Sequence, residues 1–139
     1  MLVGEYAHSV DAKGRFFIPA KFRYDLGEHF VMTKGFDGCL SLYPMENWKV
    51  LEDKIKELPM AKSKDVQRFF FSAAEVCTVD AQGRALITQR LKEYAGLGKD
   101  ITVVGVSGRA EIWDAGKWAE YSADQTSENF FDYVAEIDL

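Results

Sequence analysis

The chain has 139 residues, of which 47% are hydrophobic and 28% are charged, as is typical of a globular domain rather than a disordered segment. Its longest apolar runs, such as Phe69–Phe71, are far shorter than the roughly 20 residues that a membrane helix needs. No signal peptide is visible, because Glu5 and His8 interrupt the first residues. We therefore expect a cytoplasmic protein with no membrane partner.

The formal net charge of −5 argues against a uniformly basic surface. The negative charge, however, is concentrated in residues 119–139, which contain no lysine or arginine and carry −6. Residues 1–118 therefore carry +1. A neutral body can still present a basic face, and phosphate binding depends on the local field.

An internal repeat organises the chain. Residues 10–15, VDAKGR, recur as residues 79–84, VDAQGR. Four further features recur downstream in the same order: Leu26-Gly27 as Leu97-Gly98, and Gly35, Gly38 and Trp48 as Gly105, Gly108 and Trp118. Such ordered self-similarity indicates a duplication whose copies differ by short loop insertions and deletions.

The first copy begins with two predicted strands, Glu5–Val10 and Arg15–Ile18. The Asp-x-x-Gly between them has the residues of a type I turn, with aspartate bonding to nearby backbone and glycine at the fourth position. Pro19 suits the start of a short helix over Ala20–Leu26, which Gly27 ends. A hairpin-like strand pair follows, predicted over Phe30–Lys34 and Cys39–Tyr43.

A helix is predicted to close the first copy, because Pro44 precedes four apolar residues at helical spacing: Trp48, Leu51, Ile55 and Leu58. Residues 60–74 form a connector. Its polar part is Lys62–Lys64, and a short helix is predicted over Asp65–Ala74.

The second copy repeats the strands, which are predicted over Glu75–Val79, Arg84–Ile87, Ile101–Val104 and Ala110–Trp113. Asp114 is a plausible helix N-cap, after which Trp118 and Tyr121 are expected to face the core. Thr88 stands where the first copy has Pro19. Threonine cannot pre-set the helical φ as proline does, but its hydroxyl can cap the turn that follows.

Strands this short cannot stand alone, so the repeats are expected to pair. The predicted fold class is α+β, mainly β: two tandem modules pairing into a small barrel-like sheet with pseudo-twofold symmetry, flanked by short helices. The predicted organisation is a first module with its closing helix over 1–58, a connector helix over 59–74, a second module over 75–121 and an acidic tail or helix over 122–139. Cys39 and Cys77 are too few for a disulfide framework or zinc site, and we expect both in the core.

The order strand, Asp-x-x-Gly-Arg, two apolar residues, Ile-Pro, helix and Leu-Gly resembles the AbrB family of swapped-hairpin DNA-binding domains. Two copies of it, with GEY at 4–6, FDGCLSLYP at 36–44 and EIWD at 111–114, are similar to the MraZ family in particular. The resemblance runs from Met1 to about Tyr121. It implies two AbrB-like modules in a sequence-specific DNA-binding transcriptional regulator.

The same resemblance implies a nucleoid-associated, ring-shaped homo-oligomer without a cofactor. Because cyclic rings use head-to-tail contacts, the ring is expected to bind direct-repeat sites in promoter DNA. The promoter that the family typically implies is that of the cell-division and cell-wall gene cluster.

Carried over by position, DNA contact falls on Asp11, Arg15, Asp80 and Arg84. An arginine fork suits bidentate contact with phosphate or with guanine O6 and N7, and the aspartate would hold it in one rotamer. Two alternatives remain open: the Asp–Arg pair only fixes its turn, or the turn is a plain hairpin with a solvated arginine.

The remaining basic residues around the two turns are candidates for phosphate contacts, which position a protein without reading sequence: Lys13, Lys21, Arg23, Arg90 and Lys92. Residues 11–25 hold four basic and two acidic side chains, and residues 80–93 hold three and two. Both copies are therefore locally positive. For any single one of these residues the alternative is a solvated helix face.

A competing hypothesis is a protein-interaction module whose ring or acidic aromatic tail binds another protein. In this tail, residues 119–139, five apolar or aromatic side chains sit among acidic residues: Phe130, Phe131, Tyr133, Val134 and Ile137. These side chains alternatively pack against a neighbouring subunit. An enzyme is not expected. His8 and His29 show no metal-ligand spacing to each other or to the cysteines, and the chain has no phosphate loop, nucleophile elbow or dinucleotide fingerprint.

Overall fold

The computed structural model describes residues 1–124 and 128–138. Two strands, a short helix, two more strands and one longer helix make up the first repeat, and the second repeats this order after a connecting helix. The strands are β1 Leu2–Ser9, β2 Arg15–Phe17, β3 His29–Lys34, β4 Leu40–Pro44, β5 Glu75–Thr78, β6 Arg84–Leu86, β7 Asp100–Ser107 and β8 Ala110–Asp114. The helices are α1 Arg23–Leu26, α2 Met45–Lys56, α3 Met60–Phe71, α4 Gln89–Tyr94, α5 Ala115–Ala123 and α6 Glu128–Ala135.

Six of the strands form one antiparallel sheet in the order β1-β7-β8-β4-β3-β5, while β2 and β6 form a separate two-stranded ribbon. Exchanging the two repeats merely reverses this order, so a pseudo-twofold axis lies between β4 and β8. The predicted fold class and symmetry are confirmed. The larger sheet is open at β1 and β5, however, and closure into a barrel is not seen in the described part of the chain.

Each outer strand of the larger sheet pairs with the other repeat. β1 lies against β7 along its whole length, from Leu2 opposite Ser107 to Ser9 opposite Asp100. β5 likewise lies against β3, with Cys77 opposite Phe30. Neither repeat can complete its half of the sheet alone, so the two copies fold as one unit.

The main core lies under the ribbon and takes matching residues from both repeats. Phe16, Ile18 and Phe22 are at most 1% exposed, and their counterparts Ala85, Ile87 and Leu91 are at most 2% exposed. Tyr6 packs edge-on against Phe22, with ring centroids 5.3 Å apart. Each large side chain buried in this way contributes about 1.5–3 kcal/mol relative to its exposed state.

A second cluster holds α2 and α3 against the sheet through Tyr43, Trp48, Ile55 and Phe70. Two predictions about these helices were wrong. Leu58 lies beyond the end of α2 and is 40% exposed. The connector helix begins at Met60, directly after Pro59, so the polar residues 62–64 are helical.

The reason for the early start of α3 lies in Pro59 and Ser63. Proline has a φ that suits the residue before a helix, and it disfavours continuation of the preceding one. Ser63 is buried, and its hydroxyl donates to the Ile55 carbonyl at 2.8 Å. This polar residue therefore ties α3 to α2 instead of marking a loop.

Local capping predictions are confirmed at both helix starts of the second repeat. The Thr88 hydroxyl accepts from the Leu91 amide at 3.4 Å. This bond caps the start of α4, where the first repeat has Pro19. Asp114 accepts from the Lys117 amide at 3.4 Å. Trp118 is half-buried and packs against the core, whereas Tyr121 is 39% exposed and only its ring contacts the core, at Trp113.

Both cysteines are free and buried, as predicted. Burial raises the pKa of the Cys77 thiol to about 12 and that of the Cys39 thiol further. Within the described ranges, no helix is long and apolar enough to cross a membrane. The acidic tail contains α6, while residues 125–127 and Leu139 lie outside the described residues.

Gly105 of β7 lies close against the backbone of β1. A Cβ at this position would lie 2.7 Å from the Leu2 carbonyl oxygen and closer still to the Val3 nitrogen. Because both neighbours are backbone, we expect Gly105→Ala to lower the free energy of unfolding by about 1–3 kcal/mol, as overpacking does. Urea denaturation measures this. Gly108→Ala is the control, since a Cβ at Gly108 would lie no closer than 3.4 Å to its nearest neighbour, the side-chain amide nitrogen of Asn47. An equal loss of unfolding free energy in both variants would contradict the prediction.

Candidate nucleic-acid interface

The ribbon joins the two Asp-x-x-Gly-Arg turns. Arg15 lies opposite Leu86, Phe16 opposite Ala85, and Phe17 opposite Arg84. Backbone hydrogen bonds extend the pairing at both ends: the Ile18 amide donates to the Gly83 carbonyl at 2.9 Å, and the Ile87 amide donates to the Gly14 carbonyl at 2.7 Å. Each turn is thus fixed by the strand of the other repeat.

The two faces of the ribbon differ sharply. Phe16 and Ala85 point inward and are 1% and 2% exposed. Because side chains alternate along a strand, their neighbours lie together on the outer face: Arg15, Phe17, Arg84 and Leu86. Both predicted arginines therefore share one surface.

Each turn is built around its aspartate. One oxygen of Asp11 accepts from the backbone amides of Lys13 and Arg15 at 2.9 and 2.8 Å, and the other accepts from Arg15 Nε at 3.0 Å. Asp80 makes the same three bonds, to the amides of Gln82 and Arg84 at 2.9 Å each and to Arg84 Nε at 3.0 Å. The same carboxylate thus shapes the turn and holds the guanidinium.

The Nη groups of Arg15 and Arg84 are available to bind a ligand. Nε of each is occupied by the aspartate, and no described residue bonds to the Nη groups of Arg15 or Arg84. Their side chains are 33% and 21% exposed. A guanidinium held at Nε keeps a fixed plane while two of its nitrogens remain available for bidentate contact.

The carboxylates are kept in their charged form. The backbone amides of Arg15 and Arg84 lower the pKa of Asp11 and Asp80 below the ordinary 3.8, and the arginine side chains add to this effect. Both aspartates are therefore ionised at neutral pH, as the bonds to Nε require.

Glycine is required at the fourth position of each turn. Gly14 and Gly83 have φ values of +84° and +83°. A Cβ on Gly14 would lie 2.7 Å from the Ile87 carbonyl oxygen, and one on Gly83 would lie 2.5 Å from the guanidinium carbon of Arg23. The glycine of the motif is thus needed for two reasons: the backbone is left-handed there, and the other repeat lies too close for a Cβ atom.

Two of the five further basic candidates flank a turn of the opposite repeat. Arg23 lines a depression with Asp80 and Gly83 of the second turn. Its counterpart Lys92 lines a second depression with Lys13 and Gly14 of the first turn. Lys13, Arg23 and Lys92 are therefore brought to the turns, an arrangement that follows from the exchange of strands between repeats.

The other two candidates do not line these depressions. Arg90 donates to the Ser72 carbonyl at 3.1 Å, just after α3. Lys21 is exposed on the single helical turn Ala20–Phe22. Contact of either with phosphate stays a prediction.

Sequence reasoning missed Phe17 and Leu86, which are 48% and 52% exposed on the outer face of the ribbon. Both lie in apolar runs, Phe16-Phe17-Ile18 and Ala85-Leu86-Ile87, whose members look alike by hydropathy. Strand alternation was the signal that would have separated the middle residue from its buried neighbours.

This strand exchange, with paired turns on one ribbon, defines a protein of two tandem AbrB-like swapped-hairpin modules. A family model described as "MraZ protein, putative antitoxin-like" matches residues 1–68 and again residues 70–139. The chain therefore belongs to the MraZ family.

Curated relatives resemble the chain over 90% or more of its length. The chain is 49% identical over 143 residues to a protein of Natranaerobius thermophilus and 54% identical over 143 residues to one of Clostridium tetani, with all of each chain covered. It is 56% identical over 128 residues to a protein of Acetivibrio thermocellus, covering 90% of this chain and 89% of the relative. Each of the three is named transcriptional regulator MraZ.

We expect the side-chain carboxyl carbons of Asp11 and Asp80 to titrate with midpoints below 3.8 in the folded protein, as followed by NMR. A depressed folded pKa means that the carboxylates stabilise the turns above the ordinary pKa, and that this contribution is lost as the pH falls through the lower folded value. In the urea-unfolded chain both midpoints should return to the ordinary range.

Arg15→Met and Arg84→Met provide the matched comparison. They remove the side-chain donor and keep the backbone amide, which has the larger effect on the pKa. Each should therefore raise its aspartate's midpoint only part of the way to 3.8. Wild-type midpoints at or above 3.8 would contradict the turn geometry.

Proposed function

We propose that the protein is a DNA-binding transcriptional regulator that contacts DNA with the outer face of the β2–β6 ribbon. The observation that carries this proposal is the pair of arginines, Arg15 and Arg84, each held by an aspartate at Nε on one exposed surface. The names of the relatives support the regulatory role.

The chemistry of the ribbon suits the major groove, which admits a two-stranded β-ribbon. Asp11 and Asp80 fix the plane of each guanidinium before DNA arrives, so little side-chain entropy is lost on binding. The Nη groups then contact guanine O6 and N7 or a phosphate. In this arrangement the aspartates position the arginines and do not themselves touch DNA.

Phosphate contacts would come from the basic residues beside the turns. Lys13 and Lys92 flank the first turn, and Arg23 flanks the second. Lys21 and Arg90 extend the set on the short helices. Such contacts set the register of the protein on the duplex and make binding salt-dependent.

One protomer offers few charges, so we propose that copies assemble head-to-tail into a ring whose modules bind together through avidity. Support comes from α6 and the turn after it, where Phe131 and Tyr133 of the helix are 59% and 65% exposed and Ile137 of the turn is 64% exposed. Apolar side chains of this size are suited to contact with a neighbouring copy. The target would be direct repeats in a promoter, that of the cell-division and cell-wall gene cluster. The protein would then act in the cytoplasm at the nucleoid.

The Arg15→Ala, Arg84→Ala double variant tests the proposal. Fluorescence anisotropy with the duplex upstream of the protein's own gene should show wild-type binding that weakens steeply with salt. The variant should lose about fivefold or more in affinity per arginine, because a bidentate base contact contributes about 1–3 kcal/mol.

The matched control is Lys54→Ala, Arg68→Ala, which removes the same charge from α2 and α3, away from the ribbon. It should bind nearly as tightly as the wild type. Wild-type binding no better than to scrambled DNA, or an equal loss in both double variants, would contradict the proposal.

The spacing of the sites tests the ring. Modules held on one side of a duplex require boxes about 10 base pairs apart, centre to centre. Inserting about half a helical turn, roughly 5 base pairs, between boxes should lower affinity in gel shifts, while a full-turn insertion should be tolerated better. Affinity that is unchanged by the half-turn insertion would refute the arrangement.

A second candidate function, binding of another protein, is favoured by the same exposed aromatic side chains of α6. Its acidic neighbours Asp132 and Glu136 suit a basic partner. Charge reversal, Arg15→Glu with Arg84→Glu, separates the two functions, because it abolishes DNA binding by the ribbon and spares an interaction made through α6.

A further inference from the structure

Two large apolar side chains project from the outer face of the ribbon, although other residues fill the core beneath it. Phe17 and Leu86 occupy equivalent positions of the two repeats and leave about half of their surface in water, at 48% and 52% exposure. The core below is filled by their neighbours Phe16 and Ala85. Both exposed side chains therefore belong to the surface that carries the arginines.

The pairing of the ribbon sets each arginine beside one of them. Leu86 lies directly opposite Arg15, and Phe17 lies directly opposite Arg84. Side chains of directly opposed residues are in contact range, with Cβ atoms about 4.5–5.5 Å apart. The outer face is thus two units, each made of one oriented guanidinium and one apolar side chain.

The major groove presents matching chemistry. Guanine offers two acceptors to an arginine, and thymine offers the only methyl group. We propose that Phe17 and Leu86 read DNA sequence by contacting thymine methyl groups next to the bases contacted by Arg84 and Arg15. This inference rests on the proposed function and adds residues that determine specificity rather than affinity for the backbone.

The two units are chemically unequal, so they read DNA in one orientation. Phe17 and Leu86 differ in shape, and Lys13 of the first turn is replaced by Gln82 in the second. The depression beside the first turn is lined by Leu86 and two lysines, Lys13 and Lys92, and none of the described residues that line it is acidic. The one beside the second turn contains Arg23 together with Glu28 and Asp80. A near-symmetric ribbon therefore recognises a box without twofold symmetry.

Selection from a duplex library with a randomised central segment tests the inference. Wild type, Phe17→Ser and Leu86→Ser are compared, with Val76→Ser as the control because Val76 is a 65% exposed strand residue outside the ribbon. Each ribbon variant should lose a thymine preference at its own position, lowering discrimination there by about tenfold. Its salt slope should be unchanged, because no phosphate contact is lost.

Deoxyuridine supplies the second measurement, because it lacks only the thymine methyl group. Replacing a selected thymine should weaken wild-type binding and leave the corresponding serine variant unaffected, as a double-mutant cycle requires for a direct contact. The inference is overturned if both variants select the wild-type sequence with undiminished preference, or if the affected positions carry no thymine. A wild type that selects no sequence at all would instead overturn the proposed function.

Discussion

The pairing of β2 with β6 is the interaction on which the rest of the structure depends. It brings the two turns, which are 69 residues apart in the chain, to opposite ends of one short ribbon. It also places Ile18 and Ile87 so that their amides close the opposite turn. The ribbon covers the main core with Phe16 and Ala85 and leaves its other face outward. Display of the arginines and stability of the fold are therefore properties of the same contact.

The aspartates resolve a question that the sequence left open. A carboxylate in this motif either shapes its turn or orients the arginine, and one oxygen of Asp11 does the first while the other does the second. The two roles are coupled because the backbone amide and the Nε group that Asp11 accepts from belong to the same residue, Arg15. The spacing of four residues between aspartate and arginine is what allows one group to serve both.

Local chemistry and the pairing of the two repeats were predictable from the sequence, whereas individual side-chain contacts between the repeats were not. Thr88 and Asp114 act as caps because capping depends only on residues within one turn of the helix. The approach of Arg23 to Gly83 depends on strand exchange, which no local pattern encodes. The exposure of Phe17 was missed because hydropathy cannot distinguish it from Phe16. The early start of α3 was missed because a buried serine, Ser63, resembles a loop residue.

The residues at the centre of the ribbon show what a duplicated chain gains over a dimer of identical subunits. Phe16 faces Ala85 directly across the pseudo-twofold axis, and both are buried. In a symmetric dimer one residue type must meet itself there, so the space would hold two phenyl rings or two methyl groups, with a clash or a void as the result. Fusion of the copies releases this constraint. Each repeat can then acquire substitutions that the other repeat does not share, even at the axis, where Phe16 and Ala85 already differ.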